Sequence, residues 1–152
     1  MNKMAQHLLA SALFRFDAVT EDANPEFTHY APGNDSRNTL ELINHLVNVM
    51  AYAEATLTEK DRVVWRTRNL DEGINQFRFV VHQVQEYLQH NEVEEEMMEV
   101  MIHGPFSDVF GHIGQLAMMR RISGRPVKRV NYMKAPVSLR DASLQNAERV
   151  SI

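Results

Sequence analysis

Along residues 3–17, Ala5, Leu8, Leu9, Ala12, Leu13 and Phe16 recur at intervals of three and four, the spacing that lays one apolar stripe along an α-helix. The pattern stops over residues 21–33, where Pro25, Pro32 and Gly33 predict a loop. It resumes to about residue 57 with Leu42, Ile43, Leu46, Val49, Met50, Ala53 and Leu57. Asp35 and Ser36 are the residues suited to cap the free amides at the start of this second helix. A third stripe (Leu70, Ile74, Phe77, Val81, Val84, Leu88) follows Asn69, and Glu72 stands three residues beyond that cap in the arrangement of a capping box.

The acidic run over residues 92–99 reads as a solvated face, and Val93, Met97 and Met101 predict a short helix on the surface. The last helix has the clearest ends. Pro105 suits a first turn, where its missing amide costs nothing; Gly124 suits the left-handed position after the last turn, and Pro126 blocks continuation. Phe106, Val109, Ile113, Leu116 and Ala117 form its buried stripe. No segment sustains strand alternation. The expected fold is all-α: a four-helix bundle with a short extra helix before the last bundle helix, and an extended C-terminal tail. That tail, residues 125–152, is expected to drape Tyr132, Met133, Val137 and Leu139 over the bundle. With no repeat, low-complexity stretch or linker, residues 1–152 are read as a single domain.

Composition narrows the function classes. A net charge of −4 with scattered basic residues leaves no footprint for a phosphate backbone, so nucleic acid is not an expected partner. The one basic cluster is Arg120, Arg121, Arg125, Lys128 and Arg129, and the first two fall at a helix end where cations favour the negative dipole pole. The absence of cysteine excludes disulfides, thiolate ligands and a cysteine nucleophile. No apolar run reaches membrane-spanning length and no signal-like core is present, so the expected setting is cytoplasmic, without a membrane partner. Nor is there a nucleophilic serine elbow, a phosphate-cradling glycine loop or a dinucleotide fingerprint.

Against that plain background two helical faces carry polar residues a bundle does not need. Asp108 and His112 are four apart and project from one face, with Gln115 and Met119 on the same line. On the second helix His45 lies beside Leu42 and Val49, flanked by Glu41 and Asn48. Imidazoles at the edges of two buried stripes are what a metal site inside a bundle requires. Histidine and carboxylate ligands suit zinc, nickel, iron or manganese, and three protein ligands leave positions open for water or substrate. A lone histidine at such an edge is more often a hydrogen-bonded core residue, and an Asp-x-x-x-His pair also arises by chance, so spacing alone yields a candidate set. Of the other histidines, His82 and His90 are expected in solvent and His29 in a loop. His7 is expected against the core, and His103 is a poorer candidate ligand. The nine methionines read as gap-filling core.

The segment HGPFSDVFGHIGQLAMMRRISGRPV, residues 103–127, closely resembles the last bundle helix of the DinB-like (YfiT-like) superfamily of metal-dependent bundle proteins. His112-x-x-Gln115-Leu116, the arginines that follow and the Gly-x-Pro stop carry the likeness. Upstream, TLELINHLV at residues 39–47 is similar to the family's second helix. The resemblance implies a metal held by one histidine from the second helix and a His-x-x-x-His pair from the last. Carried onto this chain those positions are His45, Asp108 and His112, with Asp108 where the family generally has histidine. It further implies a metal-dependent hydrolase or a thiol-dependent transferase acting on a small molecule, and spacing nominates Glu41 or Asn48 as acid/base or orienting group. The alternative is a non-enzymatic small-ligand-binding or dimerisation module with no bound metal. Gly111, Gly114 and Met118 share a face roughly opposite the His112 line; close packing within the chain is the simpler reading of it, and a homodimer is the other.

Overall fold

The first stripe folds into α1 (Lys3–Thr20), three residues longer than its periodicity predicts. The extension is local: Thr20 Oγ1 donates back to the Phe16 carbonyl at 2.9 Å, and Val19 is buried beneath it. The loop that follows is not plain coil. Asn24 Oδ1 accepts from the Phe27 amide at 3.2 Å and Pro25 takes the first position of a one-turn helix, α2 (Pro25–Thr28), that sets Phe27 fully into the core.

The second predicted helix begins later than the cap residues suggested. Gly33, Asn34 and Asp35 all have positive φ and turn the chain, so neither Asp35 nor Ser36 is the cap. Asn38 is. Its Oδ1 accepts from the Glu41 amide and the Glu41 carboxylate accepts from the Asn38 amide, both at 2.9 Å, a complete capping box opening α3 (Thr39–Thr58). Helix α4 (Leu70–His90) starts at Asn69 as predicted, with Asn69 Oδ1 accepting from the Glu72 amide at 2.8 Å. Glu72 does not close that box: its carboxylate accepts from the Arg68 amide instead.

The acidic run is the short surface helix expected, α5 (Glu95–Met101). It runs through a π-type turn, Ile102–Phe106, into α6 (Ser107–Ile122). Pro105 therefore lies not in the first turn of a separate helix but just past a kink at Gly104 (φ −92°, ψ −109°). Gly124 has φ 99°, the left-handed end its position predicts.

A computed structural model describes residues 2–137; they are all-α, with no strand among them and no helix long and apolar enough to cross a membrane. Helix α1 packs against α4 and α6, and α3 packs against the same two. Leu13, Phe16, Ile43, Leu46, Met50, Phe77, Leu88 and Leu116 fill the space they share, and the Phe16 and Phe77 rings stand 4.2 Å apart. At Gly73 a Cβ would fall 2.7 Å from side-chain carbons of both Ile43 and Thr67, so the closest approach of α4 to α3 requires glycine there.

Two buried arginines tie the helices together. Arg78, on α4, donates from Nε and Nη2 to Asp17 Oδ1 at 2.8 and 2.6 Å. Arg120 does not serve its own helix's dipole, as its position suggested. Only 4% exposed, it donates to the Val19 carbonyl at 2.7 Å and to those of Arg125, Ala18 and Asp22, which caps the end of α1. Burial, and then the charge of Arg125, lowers its pKa from the ordinary value. The tail drapes in part: Val127 packs on the core and Tyr132 lies 3.7 Å from the Arg15 guanidinium and edge-on to Phe14, whereas Met133 is 95% exposed. Leu139 lies outside the described residues. Of the methionines, Met50, Met101 and Met119 are core, but Met4, Met97 and Met118 are exposed.

Candidate metal centre

Helices α3 and α6 meet with the polar edges of their stripes face to face. His45 comes from the middle of α3, Asp108 and His112 from successive turns at the start of α6. His112 Nε2 lies 3.3 Å from Asp108 Oδ1, His45 Nε2 lies 3.9 Å from Asp108 Oδ2, and the imidazoles stand edge to face with ring centres 4.6 Å apart. One ligand atom from each residue can be chosen so that all lie within 4.8 Å of one another. Two ligand atoms held tetrahedrally at about 2.0–2.1 Å from one ion are about 3.3 Å apart. The His112–Asp108 spacing already has that value, the His45 spacing to the other Asp108 oxygen is about half an ångström longer, and the set of three would draw in from within 4.8 Å to hold one ion.

The donor set is prepared for a cation in two further ways. The Gln115 side-chain oxygen lies 3.0 Å from His112 Nδ1, a contact that orients the ring and leaves Nε2 directed towards Asp108. Burial, followed by the charges of Arg37 and His112, pushes the His45 pKa below its ordinary 6.5 against the opposing pull of Asp108, so His45 is neutral at neutral pH and able to ligate. The side chains grade outward, His112 13%, His45 30% and Asp108 51% exposed, which leaves the carboxylate side of the cluster open to solvent.

No family model, curated protein or solved structure matches this chain. The site rests on its own geometry.

An open cleft of about 510 Å³ runs from the cluster, with His45 and Asp108 at one wall and Tyr52, Arg62 and His103 among its other lining residues. A second cavity, about 370 Å³, lies between α1 and the tail and contains none of the three ligand candidates. His103 thus borders the cleft without joining the cluster. Of the two spacing-based nominations, Asn48 lines the cleft and Glu41 does not, and both side chains are already engaged. Glu41 is held in the capping box of α3. Asn48 is bound to the loop between α3 and α4: its Oδ1 accepts from the Trp65 amide at 2.9 Å and its Nδ2 donates to the Trp65 carbonyl at 3.0 Å, where Asn44 Nδ2 also donates. His7 is exposed rather than packed on the core, and His82 is half-buried with Nδ1 out of solvent and unpartnered, not on a free surface; His90 and His29 are exposed as expected. Arg62 and Tyr52 carried no sequence signal, since neither belongs to a motif.

The Asn48 clamp makes a prediction. Asn48→Ala removes two hydrogen bonds to the backbone of Trp65, and unfolding in urea is expected to show a loss of about 2 kcal/mol, from about 1 kcal/mol per bond. An unchanged midpoint would show that Trp65 is held without it.

Proposed function

We propose that this chain is a four-helix bundle of the DinB-like kind in which His45, Asp108 and His112 hold a divalent metal ion. On that reading it is a metal-dependent hydrolase or thiol-dependent transferase acting on a small molecule. The observation that carries the proposal is the convergence of three ligand atoms from two helices within 4.8 Å, with Gln115 behind one of them. Two histidines and one carboxylate suit zinc, nickel, iron or manganese. When bound, such an ion supplies a Lewis-acidic centre that activates a water or a thiol.

The chain's own residues set what surrounds that chemistry. The α3–α6 contact positions both imidazoles, Gln115 orients the His112 ring, and the exposed Asp108 faces the cleft through which a substrate would arrive. The test is elemental analysis of protein purified without an affinity tag, paired with screens for hydrolysis and thiol transfer. Stoichiometric metal with turnover abolished by a chelator is expected. Metal without turnover leaves a binding module, and no metal ends the reading.

One observation favours a second role for α6. A Cβ at Gly111 or Gly114 meets nothing within 4 Å, so among the described residues nothing packs closely on these glycines, and Met118 and Ile122 beside them are 57% and 60% exposed. A homodimer through this face is the reading it supports. Gly114→Leu is then expected to shift sedimentation from dimer to monomer with helicity intact, because the new side chain has room within one chain. Wild-type protein sedimenting as a monomer at high concentration removes the idea.

A further inference from the structure

The cleft that opens from the metal centre carries a cation with no assigned work. Arg62, on the loop between α3 and α4, lines this cleft together with His45 and Asp108. Its guanidinium lies 5.7 Å from the Tyr52 ring centre, close enough for the ring face to favour its orientation, and among the described residues no carboxylate pairs with it. The loop is not free to swing: three residues on, both peptide groups of Trp65 are held by Asn48, with Asn44 assisting. An exposed guanidinium at a cleft wall, beside an aromatic ring and without a carboxylate partner among the described residues, presents the planar fork that recognises a carboxylate.

The charge of the site points the same way. One carboxylate among the ligands leaves a divalent ion under-neutralised, and Arg62 adds a further positive charge to the same cleft. A cationic molecule meets an unfavourable field here, whereas a small anion is drawn in.

We propose that Arg62 is the anion-recognition group of this cleft and that the substrate is a small carboxylate-bearing molecule, spanning from the metal to Arg62. This rests on the metal reading above, and the experiment separates the two. Zinc-loaded protein is titrated by calorimetry with acetohydroxamate, a chelator without a carboxylate that probes the metal alone. It is then titrated with the monohydroxamates of malonic, succinic and glutaric acids, which add a carboxylate at increasing reach. At least one acidic chelator should bind about three- to tenfold more tightly than acetohydroxamate, the range for a partly exposed charged pair. That gain should vanish in Arg62→Ala, persist in part in Arg62→Lys and shrink at high salt, while acetohydroxamate binds all forms alike. Tight acetohydroxamate binding with no carboxylate gain at any length, or a gain that survives Arg62→Ala, overturns the role of Arg62 and leaves the metal centre standing. Failure of every chelator on a protein that retains no zinc overturns both.

Discussion

Zinc affinity is expected to fall by more than about 100-fold in His112→Ala and in His45→Ala, because partners one shell further out are by themselves worth about 10–100-fold and these residues are ligands. Gln115→Leu tests the outer position. It leaves every ligand in place but frees the His112 ring, whose Nδ1 no longer faces an acceptor at 3.0 Å, so a loss of about tenfold is expected. Asp108→His should keep or strengthen binding, since it replaces the most exposed ligand with an imidazole reachable from the same turn of α6. A purely structural cluster behaves differently: metal content is near zero from the outset, and His45→Gln costs only about 1 kcal/mol for a lost polar contact. Calorimetric titration of zinc, nickel and manganese into apo wild type and these variants decides between them. Wild type binding none of the metals more tightly than His45→Ala does would end the metal reading and the enzymatic one built on it.

The three ligand candidates were legible because each sits on a regular helix at the border of a stripe, where spacing alone fixes which face it occupies. Their meeting was not. It depends on α3 packing against α6, a tertiary fact that the resemblance of residues 103–127 implied and the periodicity could not. The same limit hid Arg120, whose carbonyl partners on α1 lie about a hundred residues away in sequence, and which from its own helix looks like a solvated cation near a dipole. The start of α3 was ambiguous for a local reason. Asp35, Ser36 and Asn38 all have capping side chains, and the decision falls to the run of positive φ at Gly33, Asn34 and Asp35, which consumes the first two in a turn. Helix α2 was invisible because one apolar residue, Phe27, has no period. Arg62 was invisible because a loop carries no face, and only the fold brings that loop to the cleft.

Asp17→Ala is expected to be the most damaging single change to the fold outside the apolar core. Arg78 enters the seam between α1 and α4 with its side chain 7% exposed, and its Nε and Nη2 both donate to one oxygen of Asp17. Removing the carboxylate leaves a buried guanidinium without its counter-charge, a class of change that costs about 3–5 kcal/mol when burial is complete. Asp17 itself is 24% exposed, so water reaches the pair and the expected cost falls to about 2–3 kcal/mol on that scale. Urea unfolding should show this as a lowered midpoint at constant slope. The pair is costly to break rather than strongly favourable to have. Replacing both partners with apolar residues of similar length, Asp17→Leu with Arg78→Met, should therefore recover most of the loss. Because α1 supplies no ligand, the folded fraction of Asp17→Ala should bind zinc as wild type does. A cost below about 1 kcal/mol, the range of an exposed pair, would mean that Arg78 finds solvent once Asp17 is gone. A double variant no better than the single would show instead that the seam needs the charges themselves.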